Sequence, residues 1–391
     1  MILSNRMSTS SVFDTQHRTL TTGILLVITL VAFENLAVVT IAPTIARSLE
    51  GLLLYGWVFS AQLLSSLFSI VVAGQAADKY GPARPFIIGL VLFTLGLIVA
   101  GFATSMYFLI LGRILQGLGG GAVTVAVYVA VNLAYSDQIR ARMIAFMSTA
   151  WVVPALAGPA VAGLVAQWVG WRYVFLGMLP LIAVVALMTI QPFLALRRNK
   201  QVEAAKTRLA LLIVLSAGVL LAGLSMEIGY LFWLMVLGGL VVSIPSLHRL
   251  LPGGTLTLEK GLGALIAARG FFYASFVGVE AFIALMLTSV HSFSSATTGF
   301  AIATGAISWT LGSWTQDRWD KFAPQQRHLR IFVGSSIMTL GLTLQLVSLY
   351  ASLLPLVITL VGWMLAGFGI GLAHSTTSVL AFALAPEGEE G

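Results

Sequence analysis

Cysteine is absent from all 391 residues, which excludes disulfides, thiolate metal sites and cysteine nucleophiles together. Charge is nearly as scarce. Asp, Glu, Lys and Arg make up 9% of the chain, where a soluble domain carries about 25%. No His-x-x-x-His pair or carboxylate cluster suggests a metal site, and nothing points to a cofactor. What the chain has instead is apolar residues, 58% of the total. It reads as an all-α integral membrane protein.

The net charge of +7 invites a nucleic-acid reading, which the placement of the charges opposes, because the basic residues are sorted by loop rather than pooled into a patch. Eighteen mostly polar residues precede the first apolar run, too many and too polar for a cleaved signal. The first helix is therefore expected to remain as an anchor.

Apolar runs of about 18 or more residues read as membrane-spanning helices. Twelve are expected, near 20–45, 53–77, 84–103, 107–133, 143–168, 173–196, 209–226, 229–247, 270–290, 294–315, 331–350 and 355–384. The resulting domains are a six-helix bundle over 1–196, a basic linker with an inserted two-helix hairpin over 197–260, and a second bundle of four helices over 261–391. Twelve spans put both ends on one side. With that side cytoplasmic, the inner segments hold 18 of the 21 Lys and Arg, leaving Arg47 and Arg172 outside and Arg113 within a span. That bias is the positive-inside pattern, and it predicts a multi-pass protein of the cell membrane with cytoplasmic termini.

Three stretches stand out against this apolar background. From Thr19 to Ala46 the only charge is Glu34, roughly 20 Å from Arg47 along a helix and so near the middle of a hydrocarbon layer about 30 Å thick. Burial disfavours the charged form of a carboxyl, which makes Glu34 a candidate to load and release a proton. A second mid-span acid, Glu280, occupies a similar place in "FVGVEAFIALM". Arg113, in "LGRILQGLGGG", lies about 9 Å in from the outer end of its span; an intramembrane Arg faces a partner or a wet cavity, or snorkels to the surface. The glycines that follow it, with no Lys-Ser/Thr and no preceding strand, fit close helix packing better than phosphate binding.

The turn "GQAADKYGPAR" (74–84) joins the second and third spans, with Gly81 and Pro82 suited to a fixed bend and Asp78 able to cap a helix or pair with a base. In the fifth span "WVVPALAGPAVAG" carries Pro154, Gly158, Pro159 and Gly163. A kink is expected at Pro159, with the glycines admitting a neighbouring helix.

These motifs together resemble the major facilitator superfamily. Gly74, Asp78, Lys79, Gly81 and Arg84 match its loop signature, which implies a latch on the cytoplasmic gate; Pro82 and Ala83 replace a basic run, which implies a thinner one. Arg113, Gln116 and Gly117 match the R-x-x-Q-G motif implicated in proton transfer. Pro154, Gly158, Pro159 and Gly163 match the P-x-x-x-G-P-x-x-x-G motif of proton-driven exporters, and "GWRYVFLGMLP" follows where those exporters carry W-R-[WY]-x-F. "ENLAVVTIAPTI" resembles the first-helix signature of the drug/proton antiporter branch, Glu34 falling on its aspartate and Pro43 on its proline. Leu36 and Val39 replace its Thr and Asn, so reduced polar support for the acid is expected.

The resemblance implies two helical bundles around a central cavity, with the inserted hairpin of the fourteen-helix members. It implies a monomeric exporter of lipophilic or amphiphilic small molecules against protons, with Glu34 and Arg113 in proton coupling, the bilayer as its surroundings, and neither nucleic acid nor enzymatic chemistry; Glu280, which no motif covers, joins the proton-coupling candidates by its mid-span position alone. Against the family pattern, the second half shows four spans, so two helices are expected to be missing after "APEGEEG". A selective metabolite or lipid carrier, or a non-transporting truncated membrane protein, are the alternative readings.

Overall fold

A backbone in lipid has no water to bond, so long apolar segments satisfy their amides internally as helices. In the computed structural model, which describes residues 12–14, 17–196, 205–226 and 228–384, every regular element is helical. The first half comprises α1 (Arg18–Ser48), α2 (Tyr55–Tyr80), α3 (Ala83–Gly101), α4 (Met106–Ala134), α5 (Asp137–Thr149), α6 (Val152–Trp168), α7 (Arg172–Leu176) and α8 (Leu179–Ala195). A hairpin follows, α9 (Ala205–Leu224) and α10 (Tyr230–Leu250), and then α11 (Leu262–Leu285), α12 (Ser295–Phe322), α13 (Arg327–Tyr350) and α14 (Pro355–Leu384). Residues 197–204 of the basic linker, Glu227 at the hairpin joint and the tail 385–391 lie outside the described residues.

Each of the twelve expected spans coincides with helix, but among the described residues ten helical stretches are long and apolar enough to cross a membrane. The other two differ for separate reasons. The apolar part of α9 is short, Leu211–Leu224. α12 has the length but carries hydroxyls along its body and Asp317, Arg318, Asp320 and Lys321 at its end. α6 and α14 cover much of its hydroxyl-bearing body, whereas Asp317 and Lys321 at its end are exposed.

The structure sharpens the sequence reading at three points. The bend expected across 74–84 is confined to Gly81 and Pro82: α2 runs on through Tyr80 and α3 begins at Ala83. Gly81 adopts φ 82°, a left-handed conformation that costs glycine nothing. Asp78 lies in the last turn of α2. Finally, the fifth span is interrupted at Ala150 and Trp151, while Pro159 sits within α6. The cause is Pro154. Its missing N–H leaves the carbonyl four residues earlier, that of Ala150, without an intrahelical donor; the Thr29 hydroxyl of α1, which donates to the Leu25 carbonyl of its own helix at 2.8 Å, lies 3.3 Å from that oxygen.

Buried apolar side chains gather in two clusters, one drawn from α1–α8 and one from α11–α14 with Val39 of α1. Glycines on α4 let three helices meet backbone to backbone. A Cβ at Gly117 would collide with the Gln62 carbonyl of α2, and one at Gly119 would lie 2.6 Å from the Gly89 oxygen of α3. The same arrangement recurs on α14. Gly112, Gly117, Gly119 and Gly121 reappear 250 positions later as Gly362, Gly367, Gly369 and Gly371, the last four pressed against α12 and α13. The two halves are thus repeats at the level of packing, closer than their side chains suggest.

Among the described residues, three hydrogen bonds and two tight crossings join the halves at the end away from the Gly81 turn. Thr44 and Ser295 hydroxyls meet at 3.0 Å, Arg47 donates to the Ser289 hydroxyl at 3.3 Å, and the Tyr55 hydroxyl donates to the Ala281 carbonyl at 2.6 Å. A Cβ at Gly163 would strike the Ser295 carbonyl, and one at Gly299 the Pro159 carbonyl.

Adjacent glycines give a direct test of this packing. Gly119 faces the α3 backbone, whereas the nearest atoms to a Cβ at Gly120 are 3.9 Å away. Gly119→Ala is expected to destabilise by about 1–3 kcal/mol through overpacking, and Gly120→Ala to be neutral or slightly stabilising through helix propensity. Thermal unfolding of the two variants in detergent checks the contrast.

Candidate functional site

The second span carries a polar stripe at helical spacing, Gln62, Ser65 and Ser69, inside an apolar helix. This stripe faces α1 and α4 where Glu34 and Arg113 approach each other. Glu34 and Arg113 are each 1% exposed, and their side chains form an ion pair through Glu34 Oε1 and Arg113 Nη1. All three guanidinium nitrogens donate: Nη1 also to Gln116 Oε1 at 2.8 Å, Nη2 to Gln62 Oε1, and Nε to the Val58 carbonyl at 3.0 Å. The second carboxylate oxygen accepts from Gln62 Nε2 at 3.2 Å. The same amide nitrogen donates to Asn35 Oδ1 at 2.6 Å, and Asn35 returns to its own helix at the Val31 carbonyl, 2.8 Å away.

Polar support for the acid is therefore not reduced, as the Leu36 and Val39 replacements predict, but moved to a neighbouring helix. Gln62 takes that place, and nothing in the motifs pointed to it. The signal that reveals it is the i, i+3, i+7 spacing of polar residues in the second span. The carboxyl does not face acyl chains, and Arg113 does not snorkel. A buried pair survives when both charges are matched and hydrogen-bonded; here one donor atom, Gln116 Nε2, is left buried without a partner.

The second acid lives differently. Glu280 is half-buried on α11, away from this cluster. At the position on α14 that corresponds to Arg113 stands Trp363, fully buried, whose indole N–H donates to the Ile302 carbonyl of α12 at 3.1 Å. That bond replicates the one from Arg113 to Val58. Trp363 stacks on Phe276 of α11 with ring centroids 4.3 Å apart. Gln116 is likewise replaced by Ala366. Glu280 thus has no arginine counterpart in its own half, and the structure does not bring it together with Glu34.

Lys79 and Arg84 lie over the Tyr80 ring at 5.0 and 4.7 Å, and Gly74 packs beside Val125 of α4. Gly117 admits α2. Gly163 admits α12, while Gly158 meets Phe33 and Leu36 of α1 at ordinary contact distance. The counterpart turn in the second half carries Asp320 bound by Arg327 and Arg330. Outside the apolar layer, the Arg327 hydrogen bond holds the Asp320 carboxyl below the usual carboxylate range. Among the described residues no group of acids and histidines is spaced to hold a metal ion.

The sequence profile of the Major Facilitator Superfamily matches residues 24–391. The chain belongs to the major facilitator superfamily. Among curated superfamily relatives, Efflux pump FUS6 of Gibberella fujikuroi is 33% identical over 169 residues, covering 43% of this chain and 30% of that protein. Multidrug resistance protein 3 of Bacillus subtilis is 25% identical over 169 residues, covering 43% and 33%. The matched stretch is about a third of the length of these relatives. Among solved structures, the peptide transporter POT in complex with sulfate superposes with a TM-score of 0.69 at 16% identity, covering 95% of this chain and 83% of that one. A D-xylose-proton symporter gives 0.63 at 13% identity, with 93% and 82% covered. At that identity the likeness is one of fold: a multi-pass membrane architecture of the superfamily.

The ion pair makes a stability prediction. Arg113→Leu leaves a buried acid uncompensated and is expected to cost about 3–5 kcal/mol. Glu34→Leu with Arg113→Leu removes both charges and should recover most of that loss. Denaturant unfolding of the single and double variants decides it. A double variant as unstable as the worse single would show that the pair is not the stabilising unit.

Proposed function

We propose that this chain is a proton-coupled exporter of lipophilic or amphiphilic small molecules that works by alternating access, with both termini cytoplasmic. The observation that carries the reading is the Glu34–Arg113 pair, sealed at mid-membrane and held by Gln62 from a third helix. When both partners are ionised the unit is neutral. Adding a proton to Glu34 leaves the guanidinium as a lone buried charge, which is costly. The helices that hold it, α1, α2 and α4, then gain by shifting relative to one another. A proton moving down a potential of about 100 mV supplies roughly 2.3 kcal/mol, enough for about a fifty-fold concentration gradient.

The direction of opening fits this scheme. The halves are joined at the end away from the Gly81 turn, so the reading takes the conformation as open toward the side that holds the basic turns. The motif residues Pro154 and Gly163 sit at the two features that allow the change: the helix interruption and the tight crossing with α12. The printed names of the relatives, efflux and multidrug resistance, support export over import. The gate-loop residues Asp78, Lys79 and Arg84 are assigned to the alternate state, in which that side closes. Glu280, unpaired in its own half, is the second candidate to carry a proton or a cationic substrate group.

Two experiments test the reading. In everted vesicles energised with a proton gradient, Glu34→Gln is expected to abolish gradient-driven uptake of exported compounds while the protein still inserts; transport at the wild-type rate would remove the acid from the mechanism. The natural absence of cysteine allows the second test without further engineering. Oxidising Thr44→Cys with Ser295→Cys should lock the closed end and stop transport by at least about tenfold, reversibly on reduction. Full activity of the cross-linked protein would rule out movement at that seam.

A further inference from the structure

We infer that Arg269, Tyr273 and His374, where α11 and α14 lie side by side, form a recognition site for the anionic head of an amphiphile: a carboxylate, sulfonate or phosphate ester. As a statement about substrate, this rests on the exporter reading and deepens it; as a statement about binding, it rests on these side chains alone. Arg269 stands seven residues into α11, about 10 Å along the helix, and is half-buried. An arginine at that depth faces a partner or a wet cavity. Among the described residues its side chain makes one hydrogen bond, from Nη1 to Ser378 Oγ at 2.7 Å, and no ion pair. Arg113 and Arg330, by contrast, are each held by a carboxylate.

Two antiparallel helix turns set the donors together. Tyr273 follows Arg269 by four residues on α11, and His374 precedes Ser378 by four on α14, so each pair shares a helix face. One rung is the bond from Arg269 to Ser378; the other is the Tyr273 ring, with its centroid 6.3 Å from that of His374. Ser378 donates its own proton to the His374 carbonyl at 2.9 Å and so offers Arg269 only its oxygen. It is a positioning residue. The Tyr273 hydroxyl, on a side chain 49% exposed, and the half-buried His374 imidazole make no hydrogen bond among the described residues. Half-buried Trp309 of α12 stands beside His374, ring centroids 6.0 Å apart, and offers an aromatic surface to an apolar tail.

A guanidinium with one neutral contact keeps its full charge and most of its donors. An oxyanion takes two parallel N–H bonds from such a fork, and the phenol and imidazole one turn away donate to its remaining lone pairs. A cationic head meets repulsion instead. Glu280 is the one acid of α11, eleven residues or about 16 Å from Arg269 along the helix, too far to neutralise it. The site also lies about 18 Å along α11 from Ala281, which accepts the Tyr55 bond at the joined seam. It therefore belongs to the end that the exporter reading takes as open. Two sources carry an anionic head there: a dissolved amphiphilic acid entering between the halves, and an acidic lipid of the surrounding leaflet.

The test is equilibrium binding of radiolabelled dodecanoate to the full chain in phosphatidylcholine nanodiscs, with empty discs subtracted. Saturable binding is expected. Arg269→Gln should weaken it about tenfold or more, the loss of hydrogen bonds to a charged group. Arg269→Lys, which keeps the charge and loses the fork, should fall between. Tyr273→Phe with His374→Phe keeps the charge and removes two donors, and should weaken binding about threefold or more. Arg249→Gln, an exposed charge on α10, should change nothing. Dodecanoate affinity unchanged in Arg269→Gln overturns the assignment, as does equally tight saturable binding of dodecyltrimethylammonium. If Arg269→Gln fails to fold, unchanged affinity in the Tyr273 and His374 double variant overturns it instead. Phosphatidylglycerol added to the discs separates the sources: displacement of dodecanoate from the wild type, absent in Arg269→Gln, assigns the site to lipid heads, and undisturbed binding assigns it to dissolved acids. Vesicle transport separates the two readings. Dodecanoate binding without transport of any compound keeps the site and removes the exporter. Transport of uncharged compounds without saturable dodecanoate binding keeps the exporter and removes the site.

Discussion

A charge pair at the centre of a hydrophobic layer constrains everything packed around it. Glu34 and Arg113 come from different helices, and each is 1% exposed, so their cost in lipid is offset only while α1, α2 and α4 keep their positions to within a hydrogen bond. Gln62 bridges both partners, donating to the acid and accepting from the base. The Val58 carbonyl accepts from Arg113 Nε. A network with this many bonds to the charged groups favours one arrangement strongly and penalises intermediates, since any partial separation leaves charge unpaired. That property suits an element with two discrete states better than one that deforms gradually.

The glycines of α4 are what bring the partners close enough. With Gly117 and Gly121 against α2, and Gly112 and Gly119 against α3, the helix is held by backbone contact on two sides. Without apolar solvent exclusion to drive helix association in lipid, such close van der Waals contact is the main attraction available. The second half repeats the scaffold and discards the chemistry. Its α14 keeps the four glycines in the same register, while Trp363 and Ala366 take the places of Arg113 and Gln116. Trp363 even preserves the bond to the neighbouring helix carbonyl. One packing frame thus carries a charged network on one side and a stacked aromatic pair on the other, and the asymmetry leaves Glu280 without a base.

The interruption at Ala150 and Trp151 joins the two remaining features. Pro154 opens the fifth span, and the released Ala150 carbonyl lies 3.3 Å from the Thr29 hydroxyl of α1. Farther along the same span, Gly163 meets the start of α12 where the halves touch. A bend at one point of this helix is therefore mechanically tied to contact at the other.

Much of this was legible in order of residues alone. Length of apolar runs set the position of every helix, because lipid leaves the backbone no other choice. The isolated acid, the isolated arginine and the Pro-Gly string were visible because each is expensive in an apolar span and so needs a reason. The order of residues did not show which groups answer them. Gln62 lies 28 residues from Glu34 and 51 from Arg113, and no local period links them. The site of the helix break was also hidden, since two prolines competed and the residues alone do not rank them. The sequence determined that helices would form and which side chains were out of place; tertiary packing decided their partners, because hydrogen bonds between separate helices depend on register and rotation that no single helix encodes.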